Sequence, residues 1–387
     1  MPLALRKLFR ATCIFSATLL PGQSHSLCAA PQAATQTAAD VAKPGATDPR
    51  VGKQVIVIED RAPLRTPREI VWKAYRGEVF TITIVNGEWL WIGSKQGWLW
   101  EQQVVLFDDA IKLLTDKLKT EPTAENYDMR GIAYTAHEDY DKAITDFSES
   151  LKLKPNVPGV LNNRGRASYL KDDYATAVKD FDAAIKANPQ HFVAMLNRAN
   201  CFVATDDLDS AMKDLNQAIK LNPEFPEALN NRGVIYSRKA EHAAAIKDFT
   251  AAIKIDKNYV DAYGNKAAAH RKLGQFSEAI SDLKIAQEKD PLNYTSFNDM
   301  AWVYATAPEP KVRQPKTAVE LATKACEMTQ YEDWNTLDTL AAAYAANGDF
   351  KLAQQWISTA IEKAPEDEKA RLDEHQKLLM DEKLIVK

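Results

Sequence analysis

A fixed interval of 34 residues, kept five times over, constrains this chain more than any other feature. An alanine recurs at Ala143, Ala177, Ala211, Ala245 and Ala279. Four places after each stands Phe or Leu (Phe147, Phe181, Leu215, Phe249, Leu283), then a small residue three later (Ser150, Ala184, Ala218, Ala252, Ala286). A proline usually closes the block (Pro155, Pro189, Pro223, Pro291). Such a unit cannot bury its own apolar face, so the period predicts a tandem array in which each unit shields the next.

Each block also has a small residue at its eighth place (Gly131, Gly165, Ala199, Gly233, Ala267) and usually an aromatic at its eleventh (Tyr134, Phe202, Tyr236). With the period, this pattern resembles the tetratricopeptide repeat. The resemblance implies two antiparallel helices per unit and a mainly α fold, a right-handed superhelix of helical hairpins. It also implies a concave groove that binds other protein chains.

Regular repeats begin at Ala124, Pro158, Phe192, Pro226 and Val260. A sixth begins near Tyr294, where five residues are inserted between Tyr304 and Ala318, and Pro308, Pro310 and Pro315 confine the insertion to the loop between helices. A seventh completes the array over 124–365, and a charged closing helix is expected over 366–387. Ahead of the array, 105–122 reads as a lone second helix that covers the first repeat.

Residues 1–30 read as a secretory signal, with Arg6, Lys7 and Arg10 ahead of an apolar run from Ala11 to Leu20. That run is too short to span a bilayer. Cys28 raises the question of lipidation, but His25-Ser26-Leu27 lacks the small residues that precede a lipidated cysteine. Removal of the signal changes the balance from 49 basic and 53 acidic groups to 46 and 53, near -7, which argues against a nucleic-acid backbone as partner. Cys201 and Cys326 then remain, in the third and sixth repeats, and are expected to be small buried residues. Residues 31–50, rich in Ala, Thr and Gln, read as a disordered tether.

Over 51–104 short apolar runs alternate with turn residues, the pattern of strands. Gly77, Asn86-Gly87, Trp89 to Ile92 and Gly97-Trp98-Leu99 follow one another in a way that resembles the bacterial SH3-like domain. That resemblance implies a small all-β barrel. Strand alternation puts Trp89 and Trp91 on one face and Leu90 and Ile92 on the other, with Trp98 and Trp100 opposite Leu99. The tryptophan face is expected either to pack on the helical array or to form a platform (Trp89, Trp91, Trp98, Trp100) for a peptide or cell-wall glycan.

Within the array, place six of the first helix is asparagine in four consecutive repeats: Asn163, Asn197, Asn231 and Asn265. The family resemblance puts this place on the groove, and a carboxamide, with donors and an acceptor, suits pairing with a peptide backbone. Asn162, Asn200 and Asn230 extend the polar strip. Place seven is basic (Arg130, Arg164, Arg198, Arg232, Lys266) wherever place 23 is aspartate (Asp146, Asp180, Asp214, Asp248, Asp282), and both are lost together in repeats six and seven. Joint presence and joint loss predict an ion pair between helices, with anion binding in the groove as the alternative.

No clustered acid, base or nucleophile stands out, and His137, His191, His242, His270 and His375 are scattered without metal-ligand spacing. No cofactor or metal is expected. The sequence points to an exported, non-catalytic scaffold that binds a protein or extended peptide. A cell-wall-binding protein or accessory subunit of an envelope enzyme, and self-assembly through the aromatic face, are the alternatives.

Overall fold

The computed structural model describes residues 48–57, 62–66, 70–74, 78–92 and 97–386. The expected signal sequence, Cys28 and nearly all of the expected tether lie outside the described residues. The chain divides into two compact units, the first ending at Pro223 and the second beginning at Glu224.

The first unit opens with seven strands: β1 (Gln54–Val57), β2 (Ala62–Arg65), β3 (Ile70–Ala74), β4 (Val79–Asn86), β5 (Trp89–Ile92), β6 (Gly97–Trp100) and β7 (Val104–Leu106). They form one antiparallel sheet in the order β3-β2-β6-β5-β4-β1-β7. Alternation holds: Val55, Val57, Leu64, Phe80, Ile82, Leu90, Ile92 and Leu99 make the core of the sheet. Gly87, at φ 61°, takes the left-handed region in the tight turn from β4 to β5.

Among the described residues the sheet does not close into the SH3-like barrel expected here: β3 and β7 stand at its two edges. The three-residue β7 pairs with β1 only, and the chain then turns through Phe107–Asp109 into a helix.

That helix, α1 (Ala110–Thr120), is the expected half-repeat. Three hairpins follow it in the first unit: α2 (Ala124–Ala136) with α3 (Tyr140–Leu153), α4 (Pro158–Leu170) with α5 (Tyr174–Ala187), and α6 (Phe192–Ala204) with α7 (Leu208–Leu221). Ile56, on the outer face of β1, joins Ala110, Leu114, Ile132 and Phe147 in one cluster, with Val79, Val105 and Phe107 packed against it. Sheet and half-repeat together thus cover the first hairpin.

The second unit holds four hairpins: α8 (Pro226–Arg238) with α9 (His242–Ile255), α10 (Val260–Lys272) with α11 (Phe276–Lys289), α12 (Tyr294–Thr306) with α13 (Pro315–Met328), and α14 (Trp334–Ala346) with α15 (Phe350–Lys363). The closing helix α16 (Glu366–Met380) adds Leu372 and Leu379 to the apolar cluster of the last repeats.

Local chemistry fixes these hairpins. Asp139, Asp173, Asp207 and Asp349 cap the second helices by accepting a hydrogen bond from a backbone N–H of the first turn. The residue before each cap turns the chain at positive φ: Glu138, Asp172, Asp206 and, as glycine, Gly348. The sixth repeat lacks this tight turn, as its insertion predicts, and Ala307 and Val312 in its longer loop pack with Phe276 and Val303 instead.

Candidate functional site: the first-helix face

The asparagines of places five and six form hydrogen-bonded ladders that join neighbouring repeats. In the first unit Asn163 Nδ2 donates to Asp128 Oδ1 at 3.2 Å, and Asn197 Nδ2 donates to Asn162 Oδ1 at 2.9 Å. Within one helix Asn162 Nδ2 reaches Asn163 Oδ1 at 3.5 Å. In the second unit Asn265 Nδ2 donates to Asn230 Oδ1 at 2.9 Å, and Asn230 Nδ2 to Asn231 Oδ1 at 3.3 Å. Asn162, Asn163, Asn197, Asn200, Asn230 and Asn231 are buried, whereas Asn265 is partly exposed.

These side chains therefore have a structural task that the sequence pattern did not announce. A carboxamide can make several hydrogen bonds, and at Asn163, Asn197 and Asn265 one of them ties place six of a repeat to place five of the repeat before. Burial strengthens such bonds and makes their loss costly.

The ion pairs fall where the sequence puts them. Arg164 donates from Nε and Nη2 to both oxygens of Asp180 at 2.8 and 2.7 Å, and Arg130, Arg198 and Arg232 grip Asp146, Asp214 and Asp248 in the same two-pronged way. Lys266 reaches Asp282 at 3.0 Å. The hydrogen bonds to the aspartates raise the pKa of each of these arginines. Each pair bridges the two helices of its own repeat.

The third nitrogen of the fork does a second job. Arg130 Nη1 reaches Thr115 Oγ1, Arg164 Nη1 reaches Ser148 Oγ (both 3.2 Å) and Arg198 Nη1 reaches Asp182 Oδ1 at 2.5 Å, all on the preceding second helix. One guanidinium so fixes both the hairpin and its stacking, which a lysine at that place cannot do.

On the sheet, Trp91 and Trp98 face each other across β5 and β6, with ring centroids 5.3 Å apart in an edge-to-face contact. Trp89 pairs with Trp100 in the same register, and Arg65 pairs with Trp98 on the other side. Trp100 Nε1 donates to Glu88 Oε2 at 3.3 Å, while Trp98 Nε1 is buried without a hydrogen-bond partner. The apolar cluster that joins sheet and helices draws on Ile56, Val79, Val105 and Phe107, none of them from the tryptophan strip.

Cys201 and Cys326 are both buried and neither is in a disulfide, and burial pushes the Cys326 thiol up to about 11. Among the described residues no three His, Cys, Asp or Glu side chains converge as a metal site, and no helix is long and apolar enough to cross a membrane.

Family models for the tetratricopeptide repeat match residues 129–192 and 226–259, and a TPR repeat model matches 199–239. No curated protein sequence matches at a significant level. Among solved structures, the APC/C hetero-tetramer Cut9-Hcn1 aligns over 61% of this chain at 18% identity and a TM-score of 0.54. This chain spans 46% of that one. A tetratricopeptide repeat protein from Parabacteroides merdae aligns over 66% of this chain and 98% of its own length, at 17% identity and a TM-score of 0.48. YrrB, described as a TPR protein with an unusual peptide-binding site, aligns over 49% of this chain and 98% of its own at 18% identity and a TM-score of 0.39. Family models and fold agree on one conclusion: the helical hairpins over 129–259 are tetratricopeptide repeats, and the later hairpins share their helical fold.

Proposed function

We propose that this chain is an exported, non-catalytic scaffold whose first-helix face binds an extended peptide or a partner protein. The repeats supply a protein-interaction fold. The observation that supports a backbone-reading site is the ladder: amides repeat at one interval along the first helices, Asn163, Asn197 and Asn265 are each tied to the repeat before, and Asn265 is partly exposed. A peptide main chain also repeats its polar groups, so such a surface binds it irrespective of side chain. Each contact contributes only about 1 kcal/mol, and affinity arises from several together.

Capture from envelope extract by the immobilised chain tests this reading, with Asn265→Ala, the Asn197→Ala/Asn231→Ala double variant and wild type in parallel. Asn197→Ala breaks the bond to Asn162, so thermal melting of each variant must be followed. The expected result is graded loss of the captured protein, present already in the folded Asn265→Ala chain. Undiminished capture by both variants overturns the amide reading. Export is checked by fractionating cells that express the full chain and a chain lacking 1–30.

A second contact is favoured by Trp89, Trp91 and Trp100, which are partly exposed and lie outside the cluster that joins sheet and helices. Under this reading the tryptophan strip takes a peptide or cell-wall glycan, the rings supplying the apolar contact. Binding to purified sacculi that survives Trp91→Ala sinks it.

A further inference from the structure

In the second unit the ladder stops at two successive rungs. Asn265 bonds to Asn230, the residue 35 places earlier. By the same spacing Asp299 should meet a side chain at 264, and that residue is Gly264. A Cβ placed there would find no heavy atom within 4 Å beyond its own helix and chain neighbours, so the space is open. One repeat further on, Asn298 should be met from place six by Thr339, but the Thr339 hydroxyl donates instead to the Asn335 carbonyl at 3.0 Å. Asn298 is 4% exposed and its Oδ1 is buried with no partner.

Both interrupted rungs leave acceptors, and they are neighbours, for Asn298 Nδ2 reaches Asp299 Oδ1 at 3.5 Å. Asp261 lies one turn before Gly264 on α10, and Ala268, one turn after, is exposed and too small to fill the gap. Burial raises the pKa of Asp299 and also that of Asp261, as expected of carboxylates short of donors. The charge of Arg271 acts on Asp299 in the opposite direction, yet among the described residues Arg271 gives it no hydrogen bond.

We infer that the gap at Gly264 is a subsite for a basic side chain of the bound peptide, an arginine, held by Asp299. This assignment rests on the groove reading above and gives it a chemical preference. A guanidinium is planar and carries donors on adjacent nitrogens, so it can meet both oxygens of a carboxylate together. An ammonium, a point charge, cannot match that two-pronged contact. The carboxylate that ends the ladder is thereby the group that reads the ligand.

The test uses the full chain and two labelled heptapeptides, Gly-Ser-Ala-Arg-Ala-Ser-Gly and the same peptide with citrulline, the neutral isostere, in place of arginine. Fluorescence anisotropy should show the arginine peptide binding at least about tenfold more tightly, a difference of about 1.4 kcal/mol. Asp299→Asn, which installs the residue found at this place in four other repeats, should abolish the preference. Gly264→Asn should do so too by filling the gap, and its melting temperature should rise as the rung closes. Equal affinity for the two peptides, or an arginine preference that survives Asp299→Asn, overturns the subsite. Failure of both peptides to bind wild type also overturns it, while the groove reading then stands or falls on capture from extract.

Discussion

One methyl group at the eighth place of a repeat decides how near its two helices can come. A Cβ on Gly131, Gly165 or Gly233 would stand 2.6 to 2.8 Å from the ring of Phe147, Phe181 or Phe249, inside any real contact distance. Where that place is alanine, as at Ala199 and Ala267, the facing residue 16 later is the smaller Leu215 or Leu283. The two places share a fixed volume. Gly165→Ala should therefore overpack a site where Phe181 is fully buried and cost about 1–3 kcal/mol in urea unfolding. Adding Phe181→Leu should recover most of the loss; a double variant weaker than the single one would refute shared volume. This complementarity was legible in the sequence because both partners lie within one repeat. The ladder was not. Its asparagines were visible, but a bond from place six to place five of the previous repeat depends on how hairpins stack, which a repeat period does not specify. The second contact of Arg130, Arg164 and Arg198 was hidden for the same reason.

Helix α6 carries a titratable cap. His191 precedes it, is 8% exposed, and accepts the Ala194 N–H on Nδ1 at 3.1 Å, a bond that requires this nitrogen to be unprotonated. Burial lowers its pKa from 6.5 to about 4. As pH falls the unfolded chain takes the proton first, so the contribution is complete above about pH 6.5 and is lost progressively down to about pH 4, a difference on the order of 3 kcal/mol. Asparagine caps helices well and does not titrate. His191→Asn should keep the helix and flatten this part of the pH profile, measured as the difference between the two stability curves from pH 7 to 4.5. Parallel curves would show that the imidazole is not the group responsible. Among the elements, strand alternation in β5 and β6 followed from the order of Trp and Leu, and the core obeys it. Barrel closure did not follow, because it depends on whether β7 reaches β3, and no local pattern in three residues decides that.

At the scale of the molecule, a tandem array must end somewhere, and its last apolar face needs a cover that is itself polar outside. The helix α16 and the segment after it do this for the second unit, with Leu372 and Leu379 of α16 and Ile385 beyond it fully or almost fully buried in the cluster that contains Ile357 and Ala360. It also supplies charge. Asp338, wholly buried, is met by His375 Nδ1 at 2.8 Å and by Arg371 Nη1 at 3.0 Å, both from α16. Deleting 366–387 consequently does two separable things: it bares an apolar surface worth roughly 1.5–3 kcal/mol for each large side chain, and it strands a carboxylate, at a cost of about 3–5 kcal/mol. The truncated chain should melt well below the full chain and bind a hydrophobic dye. Asp338→Asn in the truncated chain removes only the stranded charge, so it should recover part of the melting temperature and none of the dye response. If that substitution changes nothing, the charge of Asp338 is not sustained by α16; if truncation itself leaves melting unchanged, α16 is an appendage and the last hairpin closes the array alone.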